Sequence, residues 1–166
     1  MKTSERLTNG QVYTRAQLKA MFDITDATIN TGIFQPVGHD SVWLFDHFFP
    51  IFGNPEGPCL EGWTALSAIA AMTKKVRLGI LVSGTTYRHP SVLAKMATTV
   101  DIISEGRLEF GLGGSWFEFE HDALGIAFPP VRERLERLEE ALQLIRLFWT
   151  KGQEGQVSYK GTYYQL

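Results

Sequence analysis

VRLGILVSGTTYRHPSVLAKMATTVD, residues 76–101, reads as a strand, a polar loop and a helix in that order. Arg77 to Ser83 is a compact apolar run of strand length. Ser83-Gly84-Thr85-Thr86-Tyr87-Arg88-His89 then gathers hydroxyls, a cation and a ring nitrogen. Pro90 suits a first helical turn, where its missing N–H is one the helix would leave unbonded anyway. Leu93, Met96, Ala97, Val100 and Ile103 follow at the spacing of one buried helical face. Gly106 ends the unit.

The same alternation continues on both sides. Downstream, Arg107 to Leu112 is a further strand that stops at Gly113-Gly114. A long helix follows Pro129-Pro130, with Val131, Leu135, Leu138, Leu142, Ile145 and Trp149 predicted on its buried face. The pairs Arg132/Glu136 and Glu133/Arg137 have the i,i+4 spacing that supports a solvent face. Val157 to Tyr164 reads as a small hairpin with Lys160-Gly161 at its turn. Upstream, Ser41 to Phe45 is a strand ending in Asp46-His47. A loop rich in Gly and Pro follows, and Trp63 to Met72 is a helix of small residues. Strand, helix, strand, helix, strand, helix is the order of a parallel sheet with crossover helices. Periodicity leaves two architectures open: a small open sheet, or part of a (β/α)8 barrel. A complete barrel takes about 250 residues, and this chain has 166.

Residues 1–38 have a different texture. Residues 1–12 are polar and read as frayed. Thr14 with Gln17 makes a capping box for a short helix over Arg15–Phe22, and a second short helix runs to Ile29. Pro36 and Gly38 mark a turn. Residues 1–38 carry four basic and three acidic side chains, residues 39–166 twelve and fifteen, for a net charge of −2. Neither part has the basic balance of a nucleic-acid binder. The single cysteine, Cys59, rules out an internal disulfide and a thiolate metal cluster. No run approaches 18 consecutive apolar residues, so no membrane span is expected, and the N-terminus lacks the apolar stretch of a signal peptide. The expected location is the cytoplasm.

Three strand ends carry the residues suited to chemistry. In either α/β architecture, ligands bind where parallel strands end. Asp46-His47 places a carboxylate beside an imidazole there, able to orient a ligand or move a proton. A strand-end pair that only caps a loop is the plainer alternative. The loop from Ser83 to His89 is the second candidate, with Gly84 allowing close backbone approach. Gly111, Gly113 and Gly114 are the third, with Trp116 as a wall beside a flat ring or a close-packed turn. The GLGG run is not a dinucleotide fingerprint, because GxGxxG would require glycine where Trp116 stands. His121 and Asp122 lie near Glu118 and Glu120, but HExxH is absent, so a structural role is expected and no metal site. There is no GxSxG elbow and no P-loop, and Cys59 lacks an obvious activating base.

These three strand ends resemble the luciferase-like flavin- or deazaflavin-dependent oxidoreductases. The resemblance rests on SVWLFDHFFP (41–50), GPCLEGWTALSAIAA (57–71), VRLGILVSGTTYRHPSVLAKMATTVD (76–101), GRLEFGLGGSWFEFEHDALGI (106–126) and FPPVRERLERLEEAL (128–142), and extends to VSYKGTYYQL (157–166). It covers residues 39–166 and is greatest to a branch usually assigned to the deazaflavin F420. It implies a partial luciferase-like TIM barrel of about three strands with crossover helices, preceded by a short helical segment.

The resemblance also implies roles. His47 would face the cofactor ring as proton donor or acceptor, beside Asp46. Val82, Ser83 and Gly84 would form a strand end where many relatives carry a bulge or cis peptide. Gly113, Gly114 and Trp116 would complete the ring site, with Tyr87, Arg88 and His89 on the substrate rim. The implied chemistry is hydride transfer between F420, or alternatively FMN, and a small organic substrate. With a flavin, monooxygenation is the variant. The opening strand of the family is not found. Residues 9–45 instead resemble a short domain of some restriction-endonuclease-like proteins, which sets residues 1–38 apart as a foreign segment joined within GHDSVWLF (38–45). A chain that stops before the barrel closes is expected to bind cofactor weakly and to be inactive alone, and its open edges favour a homo-oligomer. Two other readings remain: a noncatalytic interaction or DNA-associated module led by the N-terminal segment, and a different α/β enzyme whose strand order reverses.

Overall fold

In chain order the elements are β1 (Arg6–Thr8), β2 (Gln11–Tyr13), β3 (Ser41–Leu44), α1 (Gly62–Met72), β4 (Arg77–Ile80), β5 (Ser83–Gly84), α2 (Pro90–Ser104), β6 (Leu108–Glu109), β7 (Leu112–Gly113), α3 (Glu118–Leu124) and α4 (Val131–Lys151). The structure is a computed structural model that describes residues 6–8, 11–13 and 40–166, except 53, 55, 58, 153 and 154. The two short helices expected between residues 15 and 29 lie outside the described residues. Residues 1–12 were expected to fray, yet β1 and β2 pair antiparallel, Arg6 opposite Tyr13 and Thr8 opposite Gln11.

The wall of the molecule is parallel. β3, β4 and β6 lie side by side in chain order, with Leu44 opposite Ile80 and Leu78 opposite Leu108. β5 and β7 continue the wall past a break, pairing Ser83 with Leu112 and Gly84 with Gly113. The strand order among the described residues has no reversal, so the switch-point sheet of a doubly wound fold is not what these strands make. The result is a partial, open α/β wall of luciferase-like topology, with crossover helices on one side.

Two predicted strands are shorter than their sequences suggested. The run Arg77–Ser83 is divided after Ile80, where the Leu81–Val82 peptide is cis, and the run Arg107–Leu112 is divided between β6 and β7. Hydrogen bonds resume beyond the break: Ser83 N donates to Gly111 O at 2.9 Å and Thr85 N to Gly113 O at 3.0 Å. Apolar continuity predicted one strand in each case, because composition does not register a change in backbone path.

The core lies between the wall and its helices. Trp63 and Leu66 of α1, Leu78 and Ile80 of β4, and Leu93, Ala97 and Val100 of α2 are almost fully buried, joined by Ile145 of α4. Each large aliphatic side chain so buried contributes about 1.5–3 kcal/mol. Glu61 starts α1 by accepting from Trp63 N at 3.1 Å and Thr64 N at 2.7 Å. Arg107 secures its far end, donating to Ala70 O, Thr73 O and Val76 O.

Two helical faces differ from the prediction. In α2 the buried line is Leu93, Ala94, Ala97, Val100 and Ser104, and Ile103 is 40% exposed. In α4 the buried residues are Ala141, Leu144 and Ile145, whereas Val131, Leu135, Leu142 and Trp149 are exposed. The apolar stripe of α4 is real but only its flank meets the wall. The i,i+4 pairs form as expected, Arg132 Nε to Glu136 at 2.9 Å and Arg137 Nη2 to Glu133 at 2.6 Å. The terminal hairpin forms one residue pair beyond the predicted turn: Lys160 faces Gln165, and Gly161 N donates to Tyr164 O, which puts the turn at Thr162-Tyr163. Glu140 holds it there by accepting from Thr162 N and Tyr163 N. Among the described residues, no helix is long and apolar enough to cross a membrane.

Candidate functional site

The carboxyl ends of β3, β5 and β7 open into one cleft of about 260 Å³. Parallel alignment brings this about, because every strand ends on the same edge. Asp46 and His47 follow β3, Val82 to Gly84 lie at β5, and Gly113 to Trp116 follow β7; all of these lie about an apolar-walled opening that Phe45, Leu81 and Tyr87 also line, with Asp46 and Ser83 buried beneath its surface. Read from the sequence these are three separate strand ends, and the structure brings them together.

Glycine is required at two of them. A Cβ on Gly84 would stand 2.5 Å from the Tyr87 ring and 2.6 Å from Ser115 Oγ, and a Cβ on Gly113 would stand 2.7 Å from Val82 Cγ2. Both contacts are far inside van der Waals range, so close packing of loop on strand explains these glycines. Gly114 has more room, with Leu135 Cδ2 at 3.5 Å.

Two buried carboxylates organise the floor. Asp46 is 2% exposed and accepts Arg88 through two parallel bonds, Nη1 to Oδ2 at 2.7 Å and Nη2 to Oδ1 at 2.9 Å. Its Oδ2 also accepts Gly84 N at 3.2 Å, so the carboxylate ties the β3 end to the β5 end. Burial pushes the Asp46 pKa up, against the pull of the Arg88 guanidinium. Arg88 reaches on to Glu61 at 2.6 Å. Burial also acts to raise the Glu61 pKa, but bonds from Thr64 and Trp63 and the Arg88 charge bring it below the usual carboxylate value.

Glu120 is the second, and it is fully buried. Its Oε1 lies 2.7 Å from His47 Nδ1 and accepts the Tyr87 hydroxyl, and its Oε2 accepts Phe48 N at 2.9 Å. Burial opposes its charge, yet the bonds from His47, Tyr87 and Phe48 carry its pKa below the ordinary value. The Tyr87 phenol is raised, first by burial and then by Glu120. An ionised Glu120 can only accept, so His47 Nδ1 carries a proton toward it, and Nε2 is the ring nitrogen left for a ligand. The His47 ring is walled edge-on by Trp116 and Phe117 at 5.6 and 5.7 Å.

The other predicted residues divide. Tyr87 lines the cleft, and Trp116 stands at its mouth, 64% exposed. Arg88 and His89, expected on the rim, do not line it. Arg88 is committed to Asp46 and Glu61, and His89 caps α2 through Nδ1, accepting from Ser91 N at 3.3 Å. Burial, then Glu120, raises the Cys59 thiol to about 11, which disfavours its thiolate form. Sequence reasoning missed Glu120 as the partner of His47. It noticed Glu120 only within an acidic cluster, whereas 73 residues separate it from His47. Among the described residues, no group of three or more His, Cys, Asp or Glu side chains is arranged to hold a metal ion.

A wall of parallel strands in chain order, with a cleft at their carboxyl ends and a carboxylate-anchored imidazole beside it, is a partial, open α/β fold of luciferase-like topology. The family model described as "Luciferase-like monooxygenase" matches residues 16–166, and the chain belongs to that family. The match begins at residue 16, so it takes in part of the N-terminal segment set apart above. A similar curated protein is the F420-dependent glucose-6-phosphate dehydrogenase of Amycolatopsis mediterranei (strain U-32), 38% identical over 136 residues, covering 80% of this chain and 39% of that protein. Among solved structures, an F420-dependent secondary alcohol dehydrogenase in complex with an F420-acetone adduct superposes with a TM-score of 0.71 at 27% identity, over 80% of this chain and 39% of the other. The monooxygenase RslO1 from Streptomyces bottropensis gives 0.64 at 29% identity, over 79% of this chain and 37% of its own. The chain thus spans well under half the length of the relatives it matches.

Proposed function

We propose that the cleft is one side of the ring site of a hydride-transferring oxidoreductase, with F420 as the cofactor and FMN as the alternative. The observation that carries this reading is His47, gripped at Nδ1 by buried Glu120 and free at Nε2, in a cleft with exposed apolar walls. The relatives named as F420-dependent favour the deazaflavin. The likeness to a monooxygenase supports the second reading, oxygen insertion with a flavin.

The residues fit a flat ring. Phe45, Leu81, Val82 and Trp116 are 50%, 54%, 42% and 64% exposed around the cleft, an apolar surface that a ring would cover. His47 and Ser115 supply polar atoms at its edge, whereas the Ser83 hydroxyl is buried and accepts Trp63 Nε1 at 2.9 Å. A volume of about 260 Å³ is just below the range of complete small-molecule sites, about 300–1,000 Å³, which suits one wall of a larger pocket.

When bound, such a ring supplies the hydride chemistry. The chain's part is position, exclusion of water and proton management. Leu81, Val82 and Trp116 bind the ring by apolar contact. Glu120 fixes the tautomer and aim of His47, so that Nε2 takes a proton from, or returns one to, the group reacting there. Asp46 and Arg88 are positioning residues that hold the β3 and β5 ends at a fixed spacing. The substrate is a small organic molecule, with an alcohol or carbonyl as the reacting group.

Calorimetric titration of the 166-residue chain with F420 and with FMN tests this. One-to-one binding weaker than about 1 μM, the equivalent of roughly 8 kcal/mol, is expected, since only one wall is in place. Trp116→Ala should weaken it at least tenfold. Stoichiometric submicromolar binding would overturn the one-wall account, and an unchanged Trp116→Ala titration would overturn the site.

A further inference from the structure

Ser115 stands at φ 60, a left-handed conformation that residues with a Cβ adopt at a cost, directly after the glycine pair 113–114. Its hydroxyl is engaged: Thr86 Oγ1 lies 2.7 Å from Ser115 Oγ and also 2.7 Å from His121 Nε2. Thr86 has a single hydroxyl proton and cannot give it to both neighbours. The ring of His121 decides which receives it. His121 is fully buried, and its Nδ1 lies 2.8 Å from the Phe117 carbonyl, which only accepts, so Nδ1 carries the proton. Tyr87 stacks on the ring at 4.9 Å and Phe128 leans on it at 4.6 Å. With its one proton on Nδ1 toward the Phe117 carbonyl, the ring leaves Nε2 as an acceptor facing Thr86, and Nε2 takes the Thr86 proton. Thr86 then accepts from Ser115, whose proton points away from the cleft.

We infer that Ser115 is held as a hydrogen-bond acceptor on the cleft wall, for an N–H or O–H group of the bound ring or substrate, by a proton chain running Ser115 to Thr86 to His121. The recognition half rests on the cleft being the ring site proposed above; the chain itself does not. Ser115 is a specificity-determining residue, and Thr86 and His121 are positioning residues. A ligand offering a lone pair at this point meets no donor and is rejected.

Nitrogen NMR of the full chain with 15N-labelled histidine reads the chain directly. At neutral pH a protonated Nδ1 and a bare Nε2 are expected for His121. Thr86→Val should shift the Nε2 resonance while leaving Nδ1 protonated. A proton on Nε2 would overturn the inference, because the chain would then run outward and Ser115 would donate. Titration with F420 and with FMN forms the second arm. Ser115→Ala and Ser115→Gly should each weaken binding about tenfold, while Ser115→Gly leaves the urea midpoint level or higher by relieving the backbone. Equal affinity of the wild type and both variants would overturn the recognition half. If the wild type binds neither ring yet His121 Nε2 is bare, the ring-site reading falls, the recognition half falls with it, and the proton chain stands.

Discussion

The two faces of the parallel wall are unlike. On one, Val42, Leu44, Leu78 and Ile80 pack beneath α1 and α2, and Leu78 and Ile80 are completely buried. On the other, the alternate residues Trp43 and Phe45 are 42% and 50% exposed, and Arg77 pairs with Glu109 across the same open surface. Period-two alternation alone would give a polar outer face, as in a one-sided antiparallel sheet. Here both faces carry large apolar side chains, the pattern of strands suited to burial on both sides. The contrast teaches where stability and function separate. The helix-covered face holds the fold, and the open face with its strand-end cleft is where a ring, or further protein wall, has apolar surface to cover.

Substitutions break or sharpen that contrast. Leu78→Ala should cost about 2–5 kcal/mol in urea unfolding, the range of a buried large-to-small change, whereas Trp43→Ala on the open face should cost less than about 1 kcal/mol. Equal losses would mean that the open face is covered in solution. Next in size, Glu120→Gln should cost about 1–3 kcal/mol, because His47, Tyr87 and Phe48 all lose a charged acceptor; Glu118→Gln, exposed on the same helix, should change nothing measurable. The pH dependence follows from the same carboxylate. Its folded pKa is depressed, so its contribution is present above the ordinary carboxylate range and is lost as pH falls through its folded value. Asp46, whose pKa is raised, acts in the opposite sense, taking up a proton more readily when folded. Urea midpoints measured from pH 7 downward should therefore fall less steeply in Glu120→Gln than in the wild type. Smallest of all, Glu133→Ala should cost a few tenths of a kcal/mol, as a partly exposed i,i+4 pair does.

Much of this was legible in the chain itself. The strand-helix alternation, the Pro90 start of α2 and the common edge of Asp46-His47, Ser83-Gly84 and Gly113-Gly114 follow from local pattern plus the rule that parallel strands end together. What the pattern did not give has a common cause. The buried side of α4 depends on which flank of a broad apolar stripe meets a neighbour, and the stripe does not say. The break at Leu81-Val82 lies in an unbroken apolar run. The family resemblance set Arg88 on the rim, yet Asp46, 42 residues earlier, claims it through two bonds. Glu120 looked like one acid among several until the fold set it against His47.

The central claim is that the strand-end cleft, and not the open face at large, receives the ring. Backbone NMR of the 15N-labelled chain titrated with F420 tests it most directly. The account predicts saturable shifts confined to residues about the cleft, led by His47, Ser83, Gly84, Gly113 and Trp116, with Trp43 and Arg77 unmoved. Shifts centred on Trp43 and the Arg77–Glu109 surface, with the cleft residues silent, would contradict it.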